Sequence, residues 1–274
     1  DFSSASITGV QTLNIGDTVG TYTLGTNSSS FTTISSTVAN IAQTVIMGAA
    51  TASLTASLGQ GADILTLANG TNSIVVSDSH DDITVNGGTG ADTVTLGATF
   101  NSVGSAFIIN NVEQMTGIAG ADTITLSDAS ANTTTFTNIE TINGGSKADT
   151  ITSTTAATID GNGGADIMNA TANIVDTFVY NAASDSSGLA IDTINNFVNG
   201  SDELNITLDT LSATGSYNGD LLGTVASITA ANSALSAATY GQAIYISGDT
   251  DLVIDLNGSG DVNAGDLVIN MAAT

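Results

Sequence analysis

Apolar and polar residues alternate in short runs along this chain, and the runs recur at a period near nine. The clearest array lies between Leu58 and Leu96, LGQGADILTLANGTNSIVVSDSHDDITVNGGTGADTVTL. Asp63, Asn72, Asp82 and Asp92 hold one equivalent place in it, at spacings of 9, 10 and 10 residues. An aliphatic residue stands one or two positions on: Ile64 or Leu65, Ile74, Ile83 beside Thr84, and Val94. Period-two alternation predicts a half-buried strand, and the glycine-bearing segment before Asp63, Asn72 and Asp92 predicts a turn, from which Ser79-His80-Asp81-Asp82 departs in lacking glycine. In the copy Gly87-Gly88-Thr89-Gly90-Ala91-Asp92-Thr93-Val94-Thr95 the first six residues read as turn and the last three as strand. The predicted fold class is all-β, a parallel β-roll or β-solenoid.

Other stretches extend the pattern less regularly. Residues 1–57 are rich in Thr, Ser and Ala, with short β-runs at Ile7–Ile15, Thr21–Leu24, Phe31–Ile34, Thr44–Met47 and Ser53–Leu58. They read as irregular solenoid coils without metal turns; a β-sandwich is the competing reading. Downstream, Asn111–Thr125 matches Asn138–Thr152 at an offset of 27 residues, or three nine-residue turns. The roll is therefore expected to continue through Asp122, Asp149 and Asp166. Three regions follow: 1–57 irregular coils, 58–175 the regular roll, and 176–274 a C-terminal β cap.

The array resembles the calcium-binding nonapeptide repeats (GGxGxDxUx, U a large aliphatic) of RTX proteins, which Gram-negative bacteria secrete. Glycine permits the tight turn, so that carbonyls can point at a cation, and one carboxylate per turn supplies charge. The resemblance implies several Ca²⁺ ions, each between a turn and the one two repeats later, pairing Asp63 with Asp82 and Asn72 with Asp92. It points to Gly59, Gly61, Gly88 and Gly90 as further calcium-binding positions. Asp122, Asp149 and Asp166 are the later candidates. The competing reading is a Gly/Asp-rich surface array that binds nothing; the register kept between aspartate and aliphatic residue favours calcium. Lys147 stands where the repeat wants its fourth residue, glycine, so a weak or empty site is expected there, because a side chain is unwelcome in left-handed backbone. His80 is the only histidine; without Cys or further His partners it reads as a solvated turn residue.

A second resemblance lies at 176–204, DTFVYNAASDSSGLAIDTINNFVNGSDEL. It is similar to the segment that closes the β-roll in the C-terminal domain of serralysin-type metalloproteases. Asp176, Phe178, Val179, Tyr180, Ser184-Asp185, Asp192, Ile194, Phe197, Gly200, Asp202 and Leu204 carry the match. A solenoid's last coil exposes an apolar face and a strand edge that need covering; Phe178, Tyr180 and Phe197 are expected to cover them. Asp192 and Asp202 add carboxylates to nearby calcium. No HExxH motif occurs anywhere. Beyond it, Thr229–Ala238 reads as a short helix, and Gln242–Ile246 as a strand. Asp255-Leu256-Asn257-Gly258-Ser259-Gly260-Asp261-Val262-Asn263-Ala264-Gly265-Asp266 places oxygens at loop positions 1, 3, 5, 7, 9 and 12 with glycine at 6. That is EF-hand spacing and resembles dockerin loops. Asp255, Asn257, Ser259, Asp261, Asn263 and Asp266 are its candidate ligands. Leu267–Met271 reads as a strand rather than the helix such loops precede, so a polar β-turn competes. The ending DLVINMAAT resembles an uncleaved signal of type I secretion.

Charge narrows the function. The chain carries 26 acidic residues and one Lys or Arg, a formal charge of −25, with no Cys and no Pro. Nucleic acid and anionic lipid are excluded as partners, since no basic surface exists. No disulfide can staple the fold, and no apolar run of membrane-spanning length is present. One His, no Cys and dispersed Ser give no nucleophile, base and orienter set, so no enzyme is expected. The first residue is Asp, not Met, and no signal-peptide pattern is seen in the chain, which suggests a fragment or processed product. By resemblance, the chain reads as the C-terminal region of a bacterial surface-layer subunit, secreted and held at the cell surface. Its partners would be further copies joined through calcium, and cell-surface polysaccharide through preceding sequence. A large secreted adhesin and the non-catalytic secretion domain of an exported hydrolase or toxin are the alternatives.

Overall fold

The computed structural model describes residues 10–16, 19–36, 42–51, 53–58, 61–77, 83–97, 107–207, 221–235 and 242–272. It is all-β, built as a parallel β-solenoid. Two compact units are present: residues 1–142 with 153–156, and residues 143–152 with 157–274.

In the first unit the strands are β1 (Thr12–Ile15), β2 (Gly20–Thr23), β3 (Thr33–Ser36), β4 (Gln43–Ile46), β5 (Leu54–Ser57), β6 (Asp63–Thr66), β7 (Asn72–Val76), β8 (Ile83–Asn86), β9 (Asp92–Leu96), β10 (Phe107–Asn110), β11 (Gln114–Thr116), β12 (Thr123–Leu126) and β13 (Thr133–Thr137). Odd strands pair in the order β1-β3-β5-β7-β9-β11-β13 and even strands in the order β2-β4-β6-β8-β10-β12, all parallel. Each strand therefore pairs with the one two steps on, and one coil carries two strands. The strands are short because every nine-residue step must also make a corner. Alternate side chains point inward and stack in register: Ile74 on Val94 on Met115 on Phe136 along one sheet, Val45 on Leu65 on Val85 on Ile109 along the other. All eight are buried. The predicted β-runs Thr21–Leu24, Phe31–Ile34, Thr44–Met47 and Ser53–Leu58 fall on β2 to β5 within one or two positions, whereas of the predicted run Ile7–Ile15 only Thr12–Ile15 is strand; residues 7–9 lie outside the described residues.

After β14 (Thr141–Asn143), the second unit holds β15 (Thr150–Ser153), β16 (Thr158–Asp160), β17 (Ile167–Asn169), β18 (Thr177–Tyr180), β19 (Asp192–Asn195), β20 (Glu203–Ile206), β21 (Leu221–Val225), helix α1 (Ile228–Ala234), β22 (Gln242–Ile246), β23 (Asp251–Asp255) and β24 (Leu267–Ala272). Parallel stacking runs β15-β17-β19 and β16-β18-β20. The C-terminal strand β24 then adds parallel to β19, and β23 and β22 follow antiparallel. That reversal is the C-terminal β cap. It encloses a small core of Ala231, Leu235, Ile244, Ile246, Val253 and Val268 under α1. The predicted helix and the two predicted strands are present; the part of the helix range beyond residue 235 lies outside the described residues. Among the described residues no helix is long and apolar enough to cross a membrane.

Candidate calcium-binding corners

An aspartate two positions before an inward aliphatic residue must itself face inward, because side chains alternate along a strand. The structure obeys this rule: Asp63, Asn72, Asp92, Asp122, Asp149, Asp166 and Asp192 are each at most 3% exposed. A buried carboxylate needs partners, and these find them in the preceding coil. Asp63 Oδ1 accepts the amide of Gln43 (2.7 Å), Asn72 Oδ1 that of Thr51 (3.0 Å), and Asp92 Oδ1 that of Asn72 (3.0 Å). In the second unit Asp166 accepts from Asp149 N (2.7 Å), Asp192 from Asp166 N (2.9 Å) and Asp202 from Asp176 N (3.0 Å). The result is a one-way ladder, in which each coil's strand-entry amide is held by the next coil's side-chain oxygen.

The second carboxylate oxygen turns back onto its own corner. Asp92 Oδ2 accepts from Gly88 N (3.0 Å), Asp122 Oδ2 from Ile118 N (2.8 Å) and Asp149 Oδ2 from Gly145 N (3.0 Å). Glycine opens each corner because space is short: a Cβ on Gly87 would sit 1.8 Å from Asn111 O and 2.7 Å from Asp92 Oδ2. Gly90 adopts φ +141, in the region that favours glycine. Lys147, at the matching place before Asp149, is not among the residues of positive φ. The backbone strain expected there is absent, because the 144–149 corner takes a different path. That corner thus differs from the others in its backbone path as well as in the charge of Lys147.

Sequence reasoning missed two rungs. Glu113 Oε2 accepts from Asp92 N (2.5 Å) and Glu140 Oε2 from Asp122 N (2.8 Å). In both, the glutamate follows an asparagine of left-handed φ, Asn111 (51) or Asn138 (53), so a longer side chain does the work of aspartate after a tighter corner. The shared Asn-x-Glu of the 27-residue repeat was the available signal.

Of the expected pairs, Asn72 and Asp92 are in register and bonded. Asp63 lies opposite Ile83; Asp82, its expected mate, lies outside the described residues, as do Gly59 and His80. Gly61 is half-buried. In the C-terminal loop Asp255 and Asp266 are fully buried, whereas Asn257, Ser259, Asp261 and Asn263 are exposed. Asp255 accepts from Gly258 N and Gly260 N, and Asp266 from Asn263 N and Leu256 N. Gly258 and Gly260 take φ 66 and 75. Burial raises the Asp266 carboxyl, and Asp255 adds to the shift. A strand follows, not a helix. Among the described residues no three His, Cys, Asp or Glu side chains form a ready metal group. An amide contact leaves a carboxylate oxygen a second lone pair for a cation, so the corners remain chemically suited to calcium with carbonyls completing the shell.

One corner is different. Asp166 Oδ2, Asp192 Oδ2 and Tyr180 Oη are buried without a hydrogen-bond partner. Asp166 lacks its own-corner bond because the amide four residues back, Asn162 N, goes to Asp160 Oδ1 (2.9 Å) instead. Burial, then the neighbouring carboxylates, push Asp166 up to about 7 and Asp192 up to about 8. Tyr180 lies close enough to Asp192 for each to shift the other, but the two do not close a bond of ordinary geometry. Orphaned acidic oxygens in a dry corner fit a hard cation.

The family model for the Peptidase M10 serralysin C-terminal domain matches residues 137–273. The chain belongs to this family. The match includes the closing segment, in which the Phe178 and Phe197 rings meet at a tilt of 47° with centroids 6.1 Å apart, and the cap strands β22 to β24. The serralysin C-terminal domain is a non-catalytic repeat region of secreted proteins, usually of the calcium-binding RTX type. No curated protein matches the chain.

Proposed function

We propose that this chain is the calcium-stabilised, exported structural region of a surface-layer subunit, which assembles on the cell surface through contacts bridged by Ca²⁺. Each acidic corner would hold calcium between successive coils. Asp63, Asn72, Asp92, Asp122, Asp149, Asp166, Asp192 and Asp202, together with the Asp255–Asp266 loop, supply the ligands, and the ion neutralises carboxylates for which the chain has one Lys and no Arg.

The observation that carries the structural reading is where the charge is not. Among the described residues of the first unit, every outward strand position on both sheets is uncharged, mostly Thr, Ser and Asn, as in Thr93, Thr95, Thr116, Thr135 and Thr137. In that unit the described acids face inward or lie in corners and loops, which leaves neutral strand faces on which copies can pack once the corners are neutralised. The family match itself favours a second reading, the secretion domain of an exported hydrolase, whose chemistry would lie in preceding sequence. A large adhesin would use the same coils as a spacer.

The test is to titrate the purified chain from chelator to calcium at about 10⁻⁴ to 10⁻³ M, following circular dichroism, light scattering and electron microscopy. Chelator should lower the β signal and melting temperature, and calcium should give ordered sheets. A folded monomer at every calcium level would leave the secretion-domain or adhesin reading standing.

A further inference from the structure

Asparagine followed by glycine can modify itself in water without an enzyme, because glycine has no side chain to hold its amide nitrogen away from the asparagine Cγ. Seven such pairs occur, with asparagine at 69, 86, 143, 162, 199, 218 and 257. Asn218 lies outside the described residues. The reaction needs a free glycine amide and an asparagine side chain able to turn, so hydrogen bonding decides which pair reacts in the folded chain.

Five of the six described pairs are held. Gly70 N donates to Thr89 O (2.7 Å), Gly87 N to Asn110 O (2.8 Å) and Gly144 N to Asp160 O (2.6 Å). Gly258 N donates to Asp255 Oδ1 (2.7 Å). Asn162 is held by its side chain, whose Nδ2 donates to Gly144 O (3.0 Å). Asn199 is the exception. It and Gly200 are exposed at the tip of the corner between β19 and β20. Gly200 takes φ +85, and nothing lies within 4 Å of where its Cβ would stand. Among the described residues neither the Asn199 side chain nor Gly200 N has a hydrogen-bond partner of ordinary geometry. The bonds that close this corner pass around the pair: Ser201 N and Asp202 N donate to Val198 O (3.0 and 2.9 Å), and Val198 N donates to Asp202 Oδ2 (2.8 Å).

We infer that Asn199 is a spontaneous modification site of the folded protein, converting to aspartate and isoaspartate while the other five described pairs stay intact. Gly200 N gives up its proton and bonds to Asn199 Cγ; the Cγ–Nδ2 bond breaks, and the side-chain nitrogen leaves as ammonia with that proton. Water then opens the cyclic imide. Attack at Cγ restores an ordinary backbone with aspartate, and attack at the main-chain carbonyl carbon leaves the chain running through Cβ and Cγ as isoaspartate. Water is consumed and ammonia released, with no other reactant. The further main-chain atom of isoaspartate falls between Val198 and Ser201, inside the bonds that close the corner. From that corner Asp202 Oδ1 holds Asp176 N (3.0 Å), so isoaspartate loosens the rung that joins β18 to β20. The site makes this last coil the part of the fold that ages.

The intact chain, aged in calcium at mildly alkaline pH, tests the site by peptide mass spectrometry, with an isoaspartyl methyltransferase marking isoaspartate. Asn199 should convert first, and the five held pairs should lag by about tenfold or more, because a held pair reacts only from a locally opened state. In urea the six pairs should convert at comparable rates. Hydrogen exchange at the Asp176 amide should be faster in aged wild type. It should stay unchanged in aged Asn199→Ser and in fresh Asn199→Asp, which adds the charge without the further atom. A folded chain in which any held pair converts as fast as Asn199 overturns the site, as does an Asn199 that stays intact while the urea-unfolded chain reacts. Unchanged exchange at Asp176 in the isoaspartate form overturns the loosened rung.

Discussion

At the scale of the residue, burial decides what an aspartate in this chain does. Asp166 and Asp192 sit on core-facing positions, and burial holds their carboxyls at about 7 and about 8 against an ordinary 3.8. The calcium-free folded chain therefore keeps protons that the unfolded chain releases. More protons bound in the folded state means that stability is fully present below about pH 4 and falls as pH rises toward 8. The slope is about 1.4 kcal/mol per pH unit for each such proton. Urea midpoints in chelator should drop between pH 5 and pH 8, and calcium should flatten the difference; a midpoint that rises with pH would contradict the burial argument. A second expectation concerns space. Gly87→Ala places a methyl against Asn111 O and Asp92 Oδ2, and should cost about 1–3 kcal/mol by overpacking, read by thermal melting in calcium. The positions of the repeat aspartates were legible in the sequence from the D-x-U spacing, but that Asp92 opens the strand and faces inward was not, because the reading placed it in the turn. Asp160 and Asp185, two of the carboxylates that raise Asp166, were not legible either, because neither sits at a repeated place, and Glu113 and Glu140 were hidden by a change of side-chain length.

Elements follow from the same alternation. Period two gave most strands within one or two residues, since each inward aliphatic residue fixes its neighbours' faces. Its weak point is the strand end, where a corner rather than a pattern sets the limit. The cap depends on one hydroxyl. Ser186 is fully buried; its Oγ accepts from Asp192 N (2.8 Å) and donates to Val268 O. It thereby fastens β19, β24 and the loop between β18 and β19 at one point. Ser186→Ala leaves an amide and a carbonyl without their partner and should cost about 1–3 kcal/mol. Hydrogen exchange should show faster opening at β24, with less change in the first unit. Uniform loss of protection throughout the chain would mean that the cap and the coils open together.

For the molecule as a whole, the one-way ladder has a consequence for symmetry. Each described rung gives an amide in one direction along the winding and a side-chain oxygen in the other, so the two faces of such a coil are complementary and not alike. Two copies stacking on such faces would meet head to tail, a heterologous contact that does not close on itself and can propagate into a filament. At Asp192 the position that a newcomer's carboxylate would take is already held by Ser186. Elongation along the winding would begin by evicting that serine, whereas lateral packing on the neutral strand faces meets no such stopper.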